Sequence, residues 1–222
     1  MKLLLESWRD LTEATEQLPQ IYCDMDGVLV DFEAGVVEQI NKDLDSLRLT
    51  EAMERTEKQE KDLLRVKDAL DTFGKDRITI EDLRGKTATS SAVRKYMYAR
   101  VGNDADFWAH LPWMTGGREL WAFIAPYKPF ILTSPMNKGS EIGKAFWIDE
   151  HLGPDGPEEV HMSSEKYKWA IGSDGSQNIL IDDWSKNTIP WDDAGGIAIQ
   201  HIDGDAGATI AALKKLGFGE SE

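Results

Sequence analysis

Short apolar runs alternate with amphipathic stretches along much of the chain. The runs are rich in strand formers and are bounded by turn residues, as buried strands are: "IYC", "KPFILTSP", "EEVHM", "NILIDD" and "GGIAIQH". Helical patterns occur in "KGSEIGKAFWIDEHLG", "SSEKYKWAIG" and "AGATIAALKKLG", whereas the segment after "NILIDD" is rich in turn residues. This alternation predicts an α/β fold in which helices cover both faces of a Rossmann-like parallel sheet.

A long charged block separates the first predicted strand from the second. Residues 33–106 contain few glycines and no proline, and their helical pattern places Leu63, Val66, Leu70 and Phe73 on one stripe. The block is therefore predicted to be a helical insertion above the carboxyl edge of the sheet.

The chain is predicted to have three parts. Residues 1–18 form an amphipathic helical appendage, which Pro19 separates from the first strand. Residues 19–32 and 107–222 form the core, and residues 33–106 form the insertion. The 222 residues are enough for one ordinary domain with an insertion.

Charge and cysteine content narrow the class of protein. The formal net charge of -15 would repel a polyphosphate backbone, so we expect no long nucleic acid as a partner. The single cysteine, Cys23, cannot form an intramolecular disulfide, which favours a reducing compartment.

The leucines of "MKLLLESW" are too few for a signal-peptide core, and no window approaches a membrane span. We expect a soluble, cytoplasmic protein with no membrane partner, and the sequence leaves open whether it forms a homodimer.

Polar residues stand at the ends of the apolar strands. Asp24 and Asp26 follow "IYC", and Gly27 comes next as a turn residue. The later strand ends carry Thr133 and Ser134, Lys166, and Asp182 and Asp183. Each feature alone is also compatible with an acidic turn, a strand-end cap or a solvated lysine. In a parallel sheet, however, these ends converge on one rim, which would hold acids for a metal, hydroxyl and backbone donors, and a cation.

In order and residue type, these features resemble the four motifs of the haloacid dehalogenase superfamily of phosphohydrolases, from Ile21 to Ile199. The segments "DMDGVLVDFEAG", "ILTSP", "HLGPD" and "LIDD" are most similar to the 5'(3')-deoxyribonucleotidase branch, whose insertion is a small helical cap. The chain departs from that branch after the paired aspartates, where Trp184 and Ser185 stand in place of an arginine and a proline.

The resemblance implies a Mg²⁺-dependent phosphomonoester hydrolase with two acids in different roles. Asp24 would attack phosphorus and form an aspartyl-phosphate, whereas Asp26 would protonate the leaving alkoxide and later take a proton from water. Oxygen ligands for Mg²⁺ would come from Asp24, the backbone carbonyl of Asp26, and Asp183 with Asp182.

The same resemblance implies which residues bind the substrate, a small phosphomonoester of the nucleoside monophosphate class. The Thr133 hydroxyl and the Ser134 backbone N–H would hold the non-bridging oxygens, and Lys166 would neutralise the charge on them. Phe32 would face the nucleobase, although core packing is an alternative role for it.

Two other functions remain open at this stage. The first is the same chemistry on another small phosphate, such as a sugar phosphate. The second is a catalytically silent binding protein that keeps the fold.

Other reactive side chains are assigned to structure. The histidines show no ligand spacing and are expected at the surface or in packing: His110, His151, His161 and His201. Cys23, buried in a strand beside carboxylates, should have a raised pKa and be inert. The tryptophans assigned to core or cap packing include Trp108, Trp113, Trp147 and Trp169.

Overall fold

The computed structural model describes residues 18–49 and 55–219, so the predicted appendage lies almost wholly outside the described residues. The strands are β1 (Ile21–Cys23), β2 (Phe130–Thr133), β3 (Val160–Met162), β4 (Ile179–Asp182) and β5 (Ile197–Gln200). The first helices are α1 (Phe32–Leu49), α2 (Glu57–Asp71), α3 (Ile80–Arg84), α4 (Ala88–Val101) and α5 (Ala105–Ala109). The later helices are α6 (Gly117–Ile124), α7 (Lys138–Leu152), α8 (Ser185–Asp193) and α9 (Ala206–Lys215). No helix within the described ranges is long and apolar enough to cross a membrane.

The strands form one parallel sheet in the order β3-β2-β1-β4-β5, with β1 at the centre. Successive side chains of β1 point to opposite faces, as in any strand. Ile21 and Cys23 join the apolar cluster formed with α6, α7 and α9, whereas Tyr22 joins a second cluster with Trp191 of α8. Helices therefore cover both faces, and the predicted α/β fold with a Rossmann-like parallel sheet is confirmed.

Two predictions of local structure are wrong. Within the predicted helix "SSEKYKWAIG", only Lys166–Trp169 is helical, as a 3₁₀ turn. The segment after β4, predicted to be rich in turns, contains helix α8 with Pro190 inside it. Trp191 next to this proline is fully buried, and its indole N–H donates to the carbonyl oxygen of Asn178 at 3.1 Å. Burial of this large side chain outweighs the N–H that the proline lacks.

Helices α1 to α5 occupy the chain between β1 and β2, and most of them share an apolar cluster of their own. Leu63, Val66 and Leu70 of the predicted stripe are buried in it. Phe73 is 69% exposed, which contradicts the stripe at this position, because α2 ends at Asp71. Phe32 and Phe107 pack against both this cluster and the one beneath the sheet, and so connect them.

Helix α5 contacts α7 at a distance that leaves no room for a side chain. A Cβ atom at Gly143 would lie 2.3 Å from the carbonyl oxygen of Ala105 and 2.4 Å from the Cβ of Trp108. Such distances are far below a normal contact, so the close approach of the two helices requires glycine here. The contact fixes Trp108 over the middle of α7.

A buried carboxylate connects α1 to α4. Asp43 is fully buried, and it accepts hydrogen bonds from the Tyr96 hydroxyl at 2.6 Å and from Arg100 Nε at 3.1 Å. Burial raises the pKa of Tyr96, and the hydrogen bond to Asp43 raises it further. The phenol therefore stays protonated and donates, and the carboxylate keeps its charge partner in Arg100.

We expect Asp43→Ala to lower the free energy of unfolding by about 3–5 kcal/mol, because it leaves the Tyr96 hydroxyl and Arg100 Nε without their acceptor in a buried region, although Arg100 Nη1 keeps its pair with Asp104. Urea denaturation followed by circular dichroism measures this. The matched control is Asp71→Ala, which removes an exposed ion pair with Lys67 and should cost less than about 1 kcal/mol. Equal losses in the two variants would contradict the importance of the buried network.

Candidate active site

The carboxyl ends of the central strands open into a cavity of about 660 Å³. Predicted site residues that line it are Asp24, Asp26, Phe32, Ser134, Lys166 and Asp183. Thr133 and Asp182 are fully buried at the ends of β2 and β4, at the same edge of the sheet. The fold thus brings residues from distant parts of the chain together.

The turn after β1 holds its two aspartates against the end of β4. The Asp24 N–H donates to the carbonyl oxygen of Ile181 at 2.9 Å, which extends the pairing with β4 by one residue. Gly27 then adopts φ +73°, and a Cβ atom there would lie 2.4 Å from Asp183 Oδ2. Only glycine combines this backbone conformation with this contact. These two requirements explain why a glycine, Gly27, follows Asp26.

Lys166 lies between two buried carboxylates. Its Nζ atom is 2.8 Å from Asp24 Oδ1 and 2.6 Å from Asp182 Oδ2. Burial alone would lower the pKa of Lys166, but Asp24 and Asp182 raise it above its ordinary value. The lysine is therefore a fixed positive charge at the centre of the site.

Asp182 is held by the protein on both carboxylate oxygens. It accepts hydrogen bonds from the Trp184 N–H at 2.9 Å, from Asn187 Nδ2 at 3.0 and 2.9 Å, and from Lys166 at 2.6 Å. Burial and the charge of Asp24 raise its pKa to about 6. With these donors around it, Asp182 organises the site more readily than it binds an incoming group.

Asp183 differs from its neighbour because its carboxylate is exposed to the cavity. Desolvation by the surrounding protein, and then the charge of Asp24, raise the pKa of Asp183 to about 7. Carboxylate oxygens of Asp24, Asp182 and Asp183 lie within 4.8 Å of one another. This spacing and all-oxygen donor set fit a hard divalent cation such as Mg²⁺.

Two buried oxygens in the cavity lack a hydrogen-bond partner among the described residues, namely Oδ1 of Asp24 and Oδ1 of Asp26. The Asp24 atom is within ion-pair distance of Lys166 but outside hydrogen-bond geometry. Unpaired buried carboxylate oxygens are costly, which is consistent with a site that binds a cation or a substrate group.

Lys144 of α7 is a site residue that the sequence reasoning missed. Its side chain is about 1% exposed, and its Nζ atom lies 2.6 Å from Asp26 Oδ2 and 2.7 Å from Thr133 Oγ1. The ammonium group also lies 5.1 Å from the centre of the Trp108 ring, within cation–π range. Lys144 therefore holds the Asp26 carboxylate in one orientation, and burial raises the pKa of Asp26 while Lys144 opposes that rise.

One signal in the sequence could have found Lys144. The buried face of α7 carries Ser140, Gly143, Trp147 and Ile148, and Lys144 shares that face by helical spacing. A lysine in the middle of a buried stripe needs a charged partner.

The predicted phosphate-binding residues lie at the end of β2. Thr133 accepts from Lys144, which leaves the proton of the Thr133 hydroxyl for an incoming acceptor. The Ser134 hydroxyl donates to the carbonyl oxygen of Ser163 at 2.8 Å, which fixes the loop after β2 to the loop after β3.

Phe32, predicted to face a base, begins α1 and is half-buried beside the cavity. Its ring stacks on that of Trp108 at 5.0 Å with an interplanar angle of 13°. Much of its surface is therefore used in packing, and its role toward a base stays a prediction.

The cysteine and the histidines, which were predicted to have packing or surface roles, do not belong to the cluster of Asp24, Asp182 and Asp183. Burial, and then the charge of Asp24, raise the pKa of Cys23 well above its ordinary value, as predicted. His110 is exposed, His151 stacks on Trp147, and His201 hydrogen-bonds the Thr209 hydroxyl at 2.8 Å.

No family model matches the chain, and no curated protein matches it. Among solved structures, it is similar to a hydrolase from Streptococcus pneumoniae TIGR4 at 13% identity and a TM-score of 0.46, over 90% of this chain and 98% of that chain. A haloacid dehalogenase-like family hydrolase from Xanthomonas campestris is similar at 13% identity and a TM-score of 0.48, over 90% of this chain and 92% of that chain. A HAD family hydrolase from Deinococcus radiodurans R1, with bound phosphate and sodium, is similar at 13% identity and a TM-score of 0.44, over 91% of this chain and 90% of that chain. Because these identities and TM-scores are low, the function proposed below rests on the residues of the site.

We expect Mg²⁺ to raise the thermal unfolding temperature, by an amount equivalent to about 2.7 kcal/mol at a hundredfold excess over its dissociation constant. Asp183→Asn should weaken Mg²⁺ binding at least about tenfold, which lowers the stabilisation at the same Mg²⁺ concentration to about half or less, because it removes the ligand charge most accessible from the cavity. The control is Asp203→Asn, since Asp203 lines the same cavity outside the carboxylate cluster. Retention of the full response by Asp183→Asn would exclude this residue as a ligand.

Proposed function

We propose that the chain is a Mg²⁺-dependent phosphomonoester hydrolase of the haloacid dehalogenase superfamily, which acts through an aspartyl-phosphate on Asp24. The observation that carries the proposal is the pair Asp24 and Asp26 after the central strand, each within ion-pair distance of a different buried lysine. A surface acidic turn needs no such lysines, whereas two carboxylates with separate roles need separate environments.

Mg²⁺, held by Asp24, the Asp26 backbone carbonyl and Asp183, would offset the repulsion between a carboxylate and a phosphate dianion. The Thr133 hydroxyl and the Ser134 backbone N–H hold the non-bridging oxygens. Lys166, already 2.8 Å from Asp24, neutralises the charge that spreads over these oxygens in the transition state.

The reaction has two steps that share one proton carrier. In the first, an Asp24 oxygen forms a bond to phosphorus, the bond to the leaving oxygen breaks, and Asp26 gives that oxygen a proton. In the second, water attacks the phosphorus of the aspartyl-phosphate, Asp26 takes the proton from water, and phosphate leaves with the Asp24 carboxylate restored. Asp26 has a free Oδ1 atom for this transfer, while Lys144 fixes its Oδ2 atom.

The helical insertion, residues 33–106, is proposed as a cap that excludes water from the aspartyl-phosphate. Its position supports this, since Glu33 and Arg84 line the same cavity as Asp24. Their side chains pair with each other, with Arg84 Nε 2.8 Å from Glu33 Oε2, so they join α3 to the start of α1 at the cavity.

The substrate is proposed to be a nucleoside monophosphate, most like those of the 5'(3')-deoxyribonucleotidases. A cavity of about 660 Å³ is in the range of small-molecule sites and can hold one nucleotide. Besides the catalytic pair and Asp183, the cavity is lined by three more acids, Asp31, Glu33 and Asp203, and this negative charge disfavours a triphosphate.

We expect phosphate release from a panel of phosphomonoesters in the presence of Mg²⁺, with deoxynucleoside 5'-monophosphates giving the highest kcat/KM. Asp24→Asn should abolish turnover of every substrate, because the amide keeps the shape but is no nucleophile. Activity of this variant within about tenfold of wild type would remove Asp24 from its role, and a panel without any cleavage would refute the hydrolase itself.

Lys144→Met should lower kcat about 10- to 100-fold, because Asp26 loses the contact that orients it. If Lys144 acts through Asp26, the double variant with Asp26→Asn should be no slower than Asp26→Asn alone. Lys138→Met, on the same helix but in an exposed pair with Glu141, is the control and should keep full activity. Additive losses in the double variant would show that Lys144 acts independently of Asp26.

A further inference from the structure

Trp184 is an exposed aromatic side chain in a cavity otherwise rich in acids. Its side chain is 54% exposed, and it lines the cavity directly after Asp183. Ile202, 61% exposed, lines the cavity as well. Exposed apolar side chains that line a cavity indicate a ligand-binding surface, whereas single exposed apolar residues elsewhere on a protein are common.

The sheet register places these two cavity-lining residues after neighbouring strands. Asp182 of β4 pairs with Gln200 of β5, and each apolar residue stands two positions beyond its member of that pair. Trp184 and Ile202 thus follow the carboxyl ends of adjacent strands. Together they provide the cavity with an apolar area next to the carboxylates.

A hydrogen bond fixes the backbone of Trp184, while more than half of its side chain is exposed. Its N–H donates to Asp182 Oδ1 at 2.9 Å, and the residue is the N-cap directly before α8. No other aromatic ring among the described residues packs on it, and its ring contact is with Lys186, whose Nζ lies 4.9 Å from the ring centre. Phe32 differs, because its ring is already stacked on Trp108. Trp184 therefore offers a planar surface to the cavity from a backbone that is hydrogen-bonded to Asp182.

We propose that Trp184, assisted by Ile202, is the platform on which the nucleobase of the substrate stacks while its phosphate lies at Asp24. This inference rests on the proposed hydrolase function and adds a specificity-determining residue to it. A base is the occupant that suits the site, because it is flat, apolar on its faces and uncharged beside acids, and because polar atoms of Gln200 and Asp203 border the same cavity.

The experiment compares two substrates that share the phosphate and differ in the ring, thymidine 5'-monophosphate and glycerol 3-phosphate. The measured quantity is kcat/KM for thymidine 5'-monophosphate divided by kcat/KM for glycerol 3-phosphate. Trp184→Ala should lower this ratio roughly 5- to 150-fold, as expected when the stacking of one base is lost. Trp184→Phe should restore most of the ratio. Phe146→Ala removes an equally exposed aromatic of α7 outside the cavity lining and should leave the ratio unchanged.

A binding measurement covers the case in which Trp184→Ala folds poorly. In the Asp24→Asn background, thymidine 5'-monophosphate with Mg²⁺ should quench tryptophan fluorescence, and Trp184→Phe should remove most of that quenching.

The outcomes separate this inference from the proposed function. If wild type cleaves neither compound nor any other phosphomonoester, the hydrolase proposal fails. If wild type cleaves them and Trp184→Ala leaves the ratio unchanged, or lowers both activities equally, the stacking platform is refuted while the hydrolase stands. Quenching that persists in Trp184→Phe would also refute it.

Discussion

Four carboxylates meet at one edge of the sheet, and this concentration of negative charge is the constraint on which the fold depends. Removing such charges from water is costly unless a cation accompanies them. Lys166 and Lys144 are buried with them, one from the turn after β3 and the other from α7. Lys144 also contacts Trp108, whose ring stacks on Phe32 at the start of α1. The site, the sheet and the insertion are therefore parts of one packing arrangement.

Most of the fold could be predicted because each strand is a short apolar run bounded by turn residues. The errors occur where tertiary contacts override local sequence. Trp191 is buried in the cluster with Tyr22 on the other face of the sheet, and this burial keeps α8 helical despite Pro190. Lys166 begins a single 3₁₀ turn where a regular helix was expected, and from this turn its side chain pairs with Asp24 and Asp182.

The candidate site could be predicted for those residues that directly follow strands, because a parallel sheet brings the carboxyl ends of its strands to one edge. Lys144 lies on a helix, and although its helical spacing places it in a buried stripe, its partners depend on the docking of α7 against the turn after β1. The exposure of Trp184 to the cavity is likewise evident only once its surroundings are known. Local sequence thus indicates which strand ends converge, and tertiary packing decides which other side chains reach them.

The position of β1 has a consequence for the order in which the protein can fold. It is the first described strand in the chain and the middle strand of the sheet, and its partners begin only at Phe130 and Ile179. A nascent chain leaving the ribosome therefore carries β1 with both edges unpaired until more than half of the protein has been made. The helices of the insertion need no such wait, because their apolar cluster joins segments that are synthesised consecutively. Helical structure can consequently form before the sheet, and the apolar β1 has no partner strand in the interval.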